Sequence, residues 1–565
     1  MKGQLCVPLV LCALVVNVGV GNSEKLLRKP VAEVRAVSIE AGSLNWVFVD
    51  SMNNCSSMAS NMIKPLVYDP YSGTVAIIHG AHSGYGMGSG QVWYNISTDE
   101  AAAWSRISEL NAGNPTFARH PSATIAYLSD LFCWSAPQIN PSAFGYIIFG
   151  VDILGAGAPY AVTESSDISG DNTRIVAADD DHYIWWLAQT NQGTFHLWRT
   201  EDYVTVDEFD PWPANDFDSL GHDIGLAYRN GVLYLGVFST FPGDSGAVFN
   251  VAYSASTDRG TTWSAWNGPN IGIGDWRTLP GIAGTAYTDW HPKNSFDMVV
   301  DANGHVHFFG IVVDDVGAPT DLAVVEIFQT ESGWSGDVVS DGLSSTTRTD
   351  YGGVDQMGYH VSSAISLDGY VMAVTWLSAP AEGDSIPDIY GSARSTYLPG
   401  SWNGENLTNT PDLAELLVHL APTMQAEGFG LYRMFFTRVY ECASDSYPPD
   451  CAACAHIHVA SKLLGYIIED VSERVGIPLY YNLDQNHPNP FNPQTEIGFE
   501  IRDLGFVSLK IYDLLGREIA TLVNEELAPG TYTRQWDASG YPSSVYFYRL
   551  STSNFVQTKK LVLLR

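Results

Sequence analysis

Between Val34 and Leu464 the chain repeats one short order of apolar runs: a strand, a turn, a strongly apolar strand, a loop, then a strand that leads into another turn. The order is clear at 66–68, 73–79 and 92–96, at 224–228, 232–238 and 248–254, and at 297–300, 305–312 and 322–328. A further copy lies at 363–366, 370–376 and 388–392, and less tidy ones cover 124–164, 174–198 and 424–460. The turns Asp301-Ala302-Asn303-Gly304 and Leu367-Asp368-Gly369 carry glycine where left-handed backbone is needed. A sheet of three or four strands cannot bury both its faces alone, so such units must stack on one another. About seven units of ~40 to 60 residues predict an all-β fold, a β-propeller of six to seven blades with seven favoured. Six remain open if two of the irregular units form one blade. The early strand 34–39 is expected to complete the last blade and tie the ring shut.

One turn stands out within these repeats. Ser256, Asp258, Gly260 and Trp263 are spaced S-x-D-x-G-x-x-W directly after a strand. Ser and Asp side chains can tie the turn's backbone, Gly accepts positive φ, and Trp can pack the hairpin down. Ser97, Asp99 and Trp104 repeat the pattern with Ala101 in the glycine position. The loops Thr330-Glu331-Ser332-Gly333-Trp334 and 395–402 keep only its closing part. The pattern resembles the Asp-box of sialidases and related propellers.

After residue 477 the character changes. Pro488, Pro490 and Pro493 fix φ and remove backbone donors, so this stretch reads as an extended leader rather than a central strand. Six short apolar runs follow at 497–501, 507–512, 519–523, 531–536, 545–550 and 560–564, separated by turn residues such as Gly516 and Gly530. They predict a small immunoglobulin-like β-sandwich. The opener Pro488-Asn489-Pro490-Phe491-Asn492-Pro493, the run 511–518 with Gly516-Arg517, Pro529-Gly530-Thr531-Tyr532, the run 544–550 with Tyr546, and the basic end Lys559-Lys560 occur in order. Together they resemble the type A C-terminal sorting domain of the type IX secretion system. His487 and Ser544 stand where that family typically has Tyr and Gly. The resemblance implies an address read by the type IX secretion machinery, usually cleaved, with the cargo left on the surface or released.

The other end agrees with export. Lys2 provides a positive start, 5–18 is almost wholly apolar, and Gly19-Val20-Gly21-Asn22-Ser23 offers small residues for cleavage. The expected division is a signal peptide at 1–23, a propeller at 24–476, a linker at 477–484 and the sorting domain at 485–565. No later run reaches the roughly 18 apolar residues of a spanning helix, so no transmembrane segment is expected in the mature chain. The expected location is secreted, or on the outer-membrane surface of a Gram-negative-type bacterium, reached through the periplasm.

Charge narrows the partners. The chain has 62 acidic and 28 basic residues, and 53 and 20 of these lie before 477. A central region this acidic is repelled by phosphate backbones and anionic lipid, so nucleic acid is not an expected partner.

With Cys6 and Cys12 in the signal peptide, Cys55, Cys133, Cys442, Cys451 and Cys454 remain. In an oxidising compartment a Cys442–Cys451 disulfide across Pro448-Pro449 is the favoured use, with Cys454 a competing partner. Cys451-Ala-Ala-Cys454 with His456 and His458 also has zinc-like spacing. No metal site is assigned and no cofactor is expected; the oxygen-rich loops Asp167 to Asn172 and Asp179-Asp180-Asp181 read as solvated acidic loops, with calcium binding the alternative.

The sialidase resemblance implies an arginine triad, a Tyr/Glu nucleophile pair and an Asp acid/base, and no catalytic set is legible here. Phe117-Ala118-Arg119-His120-Pro121 lacks the order of that family's first arginine motif. Arg174, Arg394 and Arg438 lie in later units and read as surface ion pairs. Carboxylate pairs such as Asp314-Asp315 are abundant in so acidic a chain and mark nothing. Gly84 to Gly90 is glycine-rich without a following helix or lysine, which reads as a loop. His79 with His82, and Asp289 with His291, are isolated pairs. Of the sixteen Trp, those outside the boxes, among them Trp185, Trp186, Trp198, Trp212, Trp276 and Trp290, are assigned mainly to packing. The expectation is a non-catalytic binder of a glycan or protein, the alternative an extracellular glycoside hydrolase of sialidase-like fold.

Overall fold

The structure, a computed structural model, describes residues 34–37, 44–52, 63–80, 91–111, 117–140, 143–156, 159–178, 183–190, 195–209, 219–241, 249–269, 276–290, 296–314, 321–343, 360–378, 387–396, 402–409, 415–428, 431–441, 455–468, 482–527 and 530–564, apart from a few positions inside these spans. It is all-β, and no helix among these residues is long and apolar enough to cross a membrane.

The upstream part is a series of antiparallel units in chain order. The first is Leu66–Tyr68, Val75–Gly80, Val92–Ser97 and Ser105–Glu109. The second is Ser122–Ala126, Leu131–Asn140, Ala143–Ile153 and the beginning of Pro159–Ala177. That long strand pairs Ala143–Ile153 through its first half and Ile184–Thr190 through its second, so it also opens the third unit, which continues with Phe195–Thr200 and Val206–Phe209. Ser219–Arg229, Val232–Thr240 and Asn250–Ser256 form the fourth. Phe296–Val300, Val306–Val313, Leu322–Thr330 and Gly333–Ser340 form the fifth. Val361–Ser366, Val371–Ser378, Asp388–Ser395 and Glu405–Asn406 form the sixth.

The seventh unit, Thr423–Gly428, Leu431–Glu441 and Ala455–Ile468, takes its outer edge from the start of the chain. Val34–Val37 pairs with 465–468 and Val47–Met52 with 455–459. The expected early strand is there, and a second one joins it.

Second strands such as Val75–Gly80 and Val306–Val313 are buried at every position, which explains their continuous apolar runs: both faces are covered. What covers them is the neighbouring unit. Val49, Tyr68, Val75 and Phe435 form one cluster between the seventh and first units. Phe149, Trp186 and Trp198 pack between the second and third, and Phe238, Trp290 and Phe308 between the fourth and fifth. The first strands touch in sequence, 66–68 to 122–126 and onward, and 423–428 returns to 66–68.

The tail is built from two sheets. Asn482–Leu483, Gln494–Ile501 and Gly530–Asp537 make one, and Glu518–Leu527, Gly505–Tyr512, Ser544–Ser551 and Val556–Leu563 the other. Alternate residues of both, including Ile497, Phe499, Leu509, Ile511, Tyr548 and Leu561, share one core. Two expectations need correcting. Asn482 and Leu483 pair with Glu500 and Phe499, so they belong to the sandwich rather than to a linker. The proline-rich opener is not a leader outside the core either. Phe491 is buried against Trp536, its N–H donates to Val562 O at 2.9 Å and its carbonyl accepts from Leu564 N at 3.0 Å. Asn489 Oδ1 accepts from Val562 N, so the motif clamps the final strand. Prolines suit this role because Phe491 makes both its ladder bonds to that one strand, and Pro493 lends only a carbonyl, which accepts from Ala538 N.

Candidate functional site

Antiparallel alternation sorts the turns. First strands begin at one end of the units, and turns from first to second and from third to fourth strand lie at the other. At the starting end a single polar network touches every unit. Lys64 Nζ forms a buried ion pair with Asp297 and donates to Ser363 O at 3.2 Å and Ser362 Oγ at 3.4 Å. Arg174 donates to Asp297 Oδ1 at 3.2 Å and to Ile224 O at 3.2 Å. Ser363 adds its N–H at 2.6 Å and its hydroxyl at 2.9 Å to Asp297 Oδ2. Ser122 Oγ accepts from Lys64 N and donates to Thr173 O, while Ser362 Oγ accepts from Leu420 N. His360 and His419, both buried, meet edge to face beside it with ring centroids 4.5 Å apart.

Two cations share one carboxylate here. Burial raises the Asp297 carboxyl, but Lys64 and Arg174 outweigh it and hold the group below its usual range. Burial pushes the Lys64 ammonium down to about 8, with Asp297 pulling it back up and Arg174 adding to the fall. The network therefore has the chemistry of a brace in which one buried carboxylate offsets two cations.

The three arginines singled out in the sequence are not surface ion pairs, because each is buried against a separate carboxylate. Arg174 meets Asp297. Arg394 meets Glu326 at 2.5 and 3.0 Å between the fifth and sixth units, beneath Trp402 and beside His307. Arg438 meets Glu415 at 3.2 Å and lies over the Trp46 ring. A matching pair, Asp50 with Arg106, joins the seventh unit to the first, with Asn95 and His79 hydrogen bonded behind it. Burial favours the neutral Glu326, but Arg394 and His307 hold the carboxyl down to about 2. A depressed carboxyl stabilises above its unfolded value and loses that contribution as pH falls through the folded one. Melting temperature should thus drop between pH 4.5 and about 2, and Glu326→Gln should flatten part of that slope. Parallel profiles for the two proteins would contradict this.

The Ser–Asp turns lie at the opposite end. Ser256 Oγ donates to Asp258 Oδ1 at 2.8 Å and accepts from Gly260 N at 2.8 Å; Asp258 also accepts from Thr262 N and Oγ1. These bonds, the Thr262 hydroxyl first, hold the Asp258 carboxyl down to about 2. Trp263 Nε1 donates to Gly260 O at 3.0 Å. Ser97 and Asp99 repeat the ties to Ala101 N and Ala103 N, and Trp104 packs on the cluster below.

Gly260 has φ 88°, and Ala101 takes the equivalent conformation at φ 67°. Gly260→Ala should cost about 1–2 kcal/mol, since a Cβ there is strained and would sit 3.3 Å from Leu197. The shift in denaturation midpoint checks it. A third such turn was missed: Asp202 accepts from Val204 N and Thr205 N after Thr200, in the same place in the third unit. It lacks the serine and tryptophan that mark the other two.

The remaining expectations divide plainly. Asp167 to Asn172 is not a loop but part of strand Pro159–Ala177, because the chain crosses between units without a turn there. Asp179-Asp180-Asp181, Gly84 to Gly90, Arg119, His82, His291, Trp212, the signal peptide and the Cys442–Cys451 pair with Cys454 lie outside the described residues. His458 is buried in the strand Ala455–Ile468, and Cys133 is buried in the core between the second and third units. His79 hydrogen bonds Asn95 and Gly80 O. Trp185, Trp198, Trp276 and Trp290 are fully buried. Among the described residues no three His, Cys, Asp or Glu side chains group as metal ligands.

No curated protein matches the chain. Among solved structures it is similar to an ulvan lyase, a polysaccharide lyase, at 11% identity over 74% of this chain and 96% of that one, with a TM-score of 0.41. It is also similar to PorZ, a surface component of the type IX secretion system of Porphyromonas gingivalis, at 12% identity over 88% and 64%, with a TM-score of 0.31. An exo-β-1,3-galactanase from Phanerochaete chrysosporium matches at 9% identity over 92% and 100%, with a TM-score of 0.30. Residues 486–564 match the family model of the secretion system C-terminal sorting domain. The tail is therefore a type IX sorting domain, and it marks the chain for secretion to the cell surface or the extracellular space.

Proposed function

We propose that this is an exported seven-bladed β-propeller, followed by an immunoglobulin-like sorting domain, that binds a glycan or protein without catalysis. The cyclic contacts of the first strands and the closure of the last unit by the chain's own beginning support seven blades. The Ser256–Trp263 and Ser97–Trp104 turns are its Asp-boxes and serve the hairpins, not chemistry. A cleaved signal peptide at 1–23 brings the chain to the periplasm, and the tail takes it across the outer membrane. Binding is assigned to the end where the first strands begin.

The observation that carries the non-sialidase reading is the pairing of Arg174, Arg394 and Arg438 with Asp297, Glu326 and Glu415. An arginine already neutralised by a buried carboxylate is not offered to a substrate's carboxylate. The test is a glycan array probed with the purified mature protein, with release of reducing sugar measured on the same glycans. Retention without release is expected. Catalytic release from any of them would overturn the reading in favour of a glycoside hydrolase.

A further inference from the structure

The sorting domain is nearly neutral as a whole, yet its two outer faces differ. In the four-stranded sheet Leu509, Ile511, Tyr548, Leu550 and Leu561 point inward, so the alternate residues Lys510, Tyr512, Phe547, Arg549 and Lys560 point out. Register sets Lys510 beside Arg549, and Tyr512 beside Phe547, which in turn faces Lys560. The Arg549 guanidinium lies over the Tyr512 ring at 5.5 Å. Two acidic residues share this face by register, Glu518 at 2.9 Å from Lys510 and Glu526 opposite Phe506. Phe506 and Val556, 57% and 64% exposed, extend the same face with apolar surface. On the other sheet Ile497, Phe499 and Trp536 point inward and Glu496, Glu500 and Asp537 point out.

We propose that the outer face carrying Lys510, Tyr512, Phe547, Arg549 and Lys560 is the docking surface of the sorting domain for an acidic protein surface of the export apparatus. The inference rests on the export reading and adds which face is used. Arg, Tyr and Phe are the side chains that supply protein hot spots, and charge complementarity selects an acidic partner. Three cations on a rigid sheet are few for an anionic membrane, where clusters of about 4–8 are the usual requirement. The acidic opposite face would be repelled by the same partner, which fixes orientation.

The test uses the full chain in its native bacterium. Arg549→Glu/Lys560→Glu is compared with Glu496→Lys/Glu500→Lys, by immunoblot of periplasm against surface and medium, with melting of each purified protein. The first pair should lower export roughly tenfold or more with melting unchanged, and the second should export as wild type. Equal export of the two pairs overturns the proposal. If the first pair melts early, Arg549→Gln/Lys560→Gln decides, and wild-type export of that variant also overturns it. Zero-length cross-linking in cells should join Lys510 or Lys560 to another envelope protein. Cross-links only to this chain's own acidic residues before 469 would show that the face is self-covered and refute it. Export of a chain lacking Gln485 to Arg565 would instead defeat the export reading itself.

Discussion

A mature chain that begins at residue 53 should fail to fold into a soluble upstream domain. The strands Val34–Val37 and Val47–Met52 form the outer edge of the seventh unit. Without them the edge of Ala455–Ile468 is left open to pairing with other chains. Val49 and Met52 leave the cluster between the seventh and first units, and Trp46 leaves Phe436 and Arg438. Each buried apolar side chain contributes about 1.5–3 kcal/mol. Asp50 goes too, which removes its ion pair with Arg106 and its hydrogen bond to Asn95. The sum is comparable to the roughly 5–15 kcal/mol that holds a domain folded. Expression followed by size-exclusion chromatography and limited proteolysis checks it. Aggregated, protease-sensitive material is expected, and a soluble truncation with wild-type melting would contradict the closure.

The second large effect is expected at Asp297. Asp297→Ala removes the shared carboxylate and leaves Lys64 and Arg174 buried side by side, which should cost about 3–5 kcal/mol. Ser363 loses the acceptor for its N–H and hydroxyl in the same step. Lys64→Met should cost less, because Asp297 keeps Arg174. Asp297→Ala/Lys64→Met should then recover part of the loss, since the uncompensated ammonium is gone. Urea titrations of the three variants give the coupling directly. Strict additivity would mean that the network is not a unit.

These two regions differ in how far the sequence revealed them. Closure by the early strand was readable, because Val34 onward is an apolar run with no other place in the repeat. The repeat itself was readable because second strands are covered on both faces and so are continuously apolar. Where the chain crosses from the second to the third unit, the single strand Pro159–Ala177 carries Asp167 to Asn172, polar residues that look like a loop. Composition cannot tell a polar strand from a turn.

The network around Asp297 was not legible. Its partners lie 66, 123 and 233 residues away in the chain, at Ser363, Arg174 and Lys64. Each is one polar side chain near the start of an apolar run. The recurrence of Ser122, Arg174, Asp297 and Ser362 on the first strands of the second, third, fifth and sixth units was the available signal. In the tail, motif spacing exposed the family, and strand alternation gives the outward face once register is known. Phe491 was misplaced because prolines on both sides suggest a segment outside the sheets. Its ring is what fills the core there.

The central claim is that the tail exports an upstream domain that folds without it. Deleting Gln485 to Arg565 and fractionating the cells tests this most directly. The truncated protein should accumulate in the periplasm, soluble and as protease-resistant as the intact chain's upstream domain. Its appearance at the cell surface or in the medium at the level of the full chain would contradict the account.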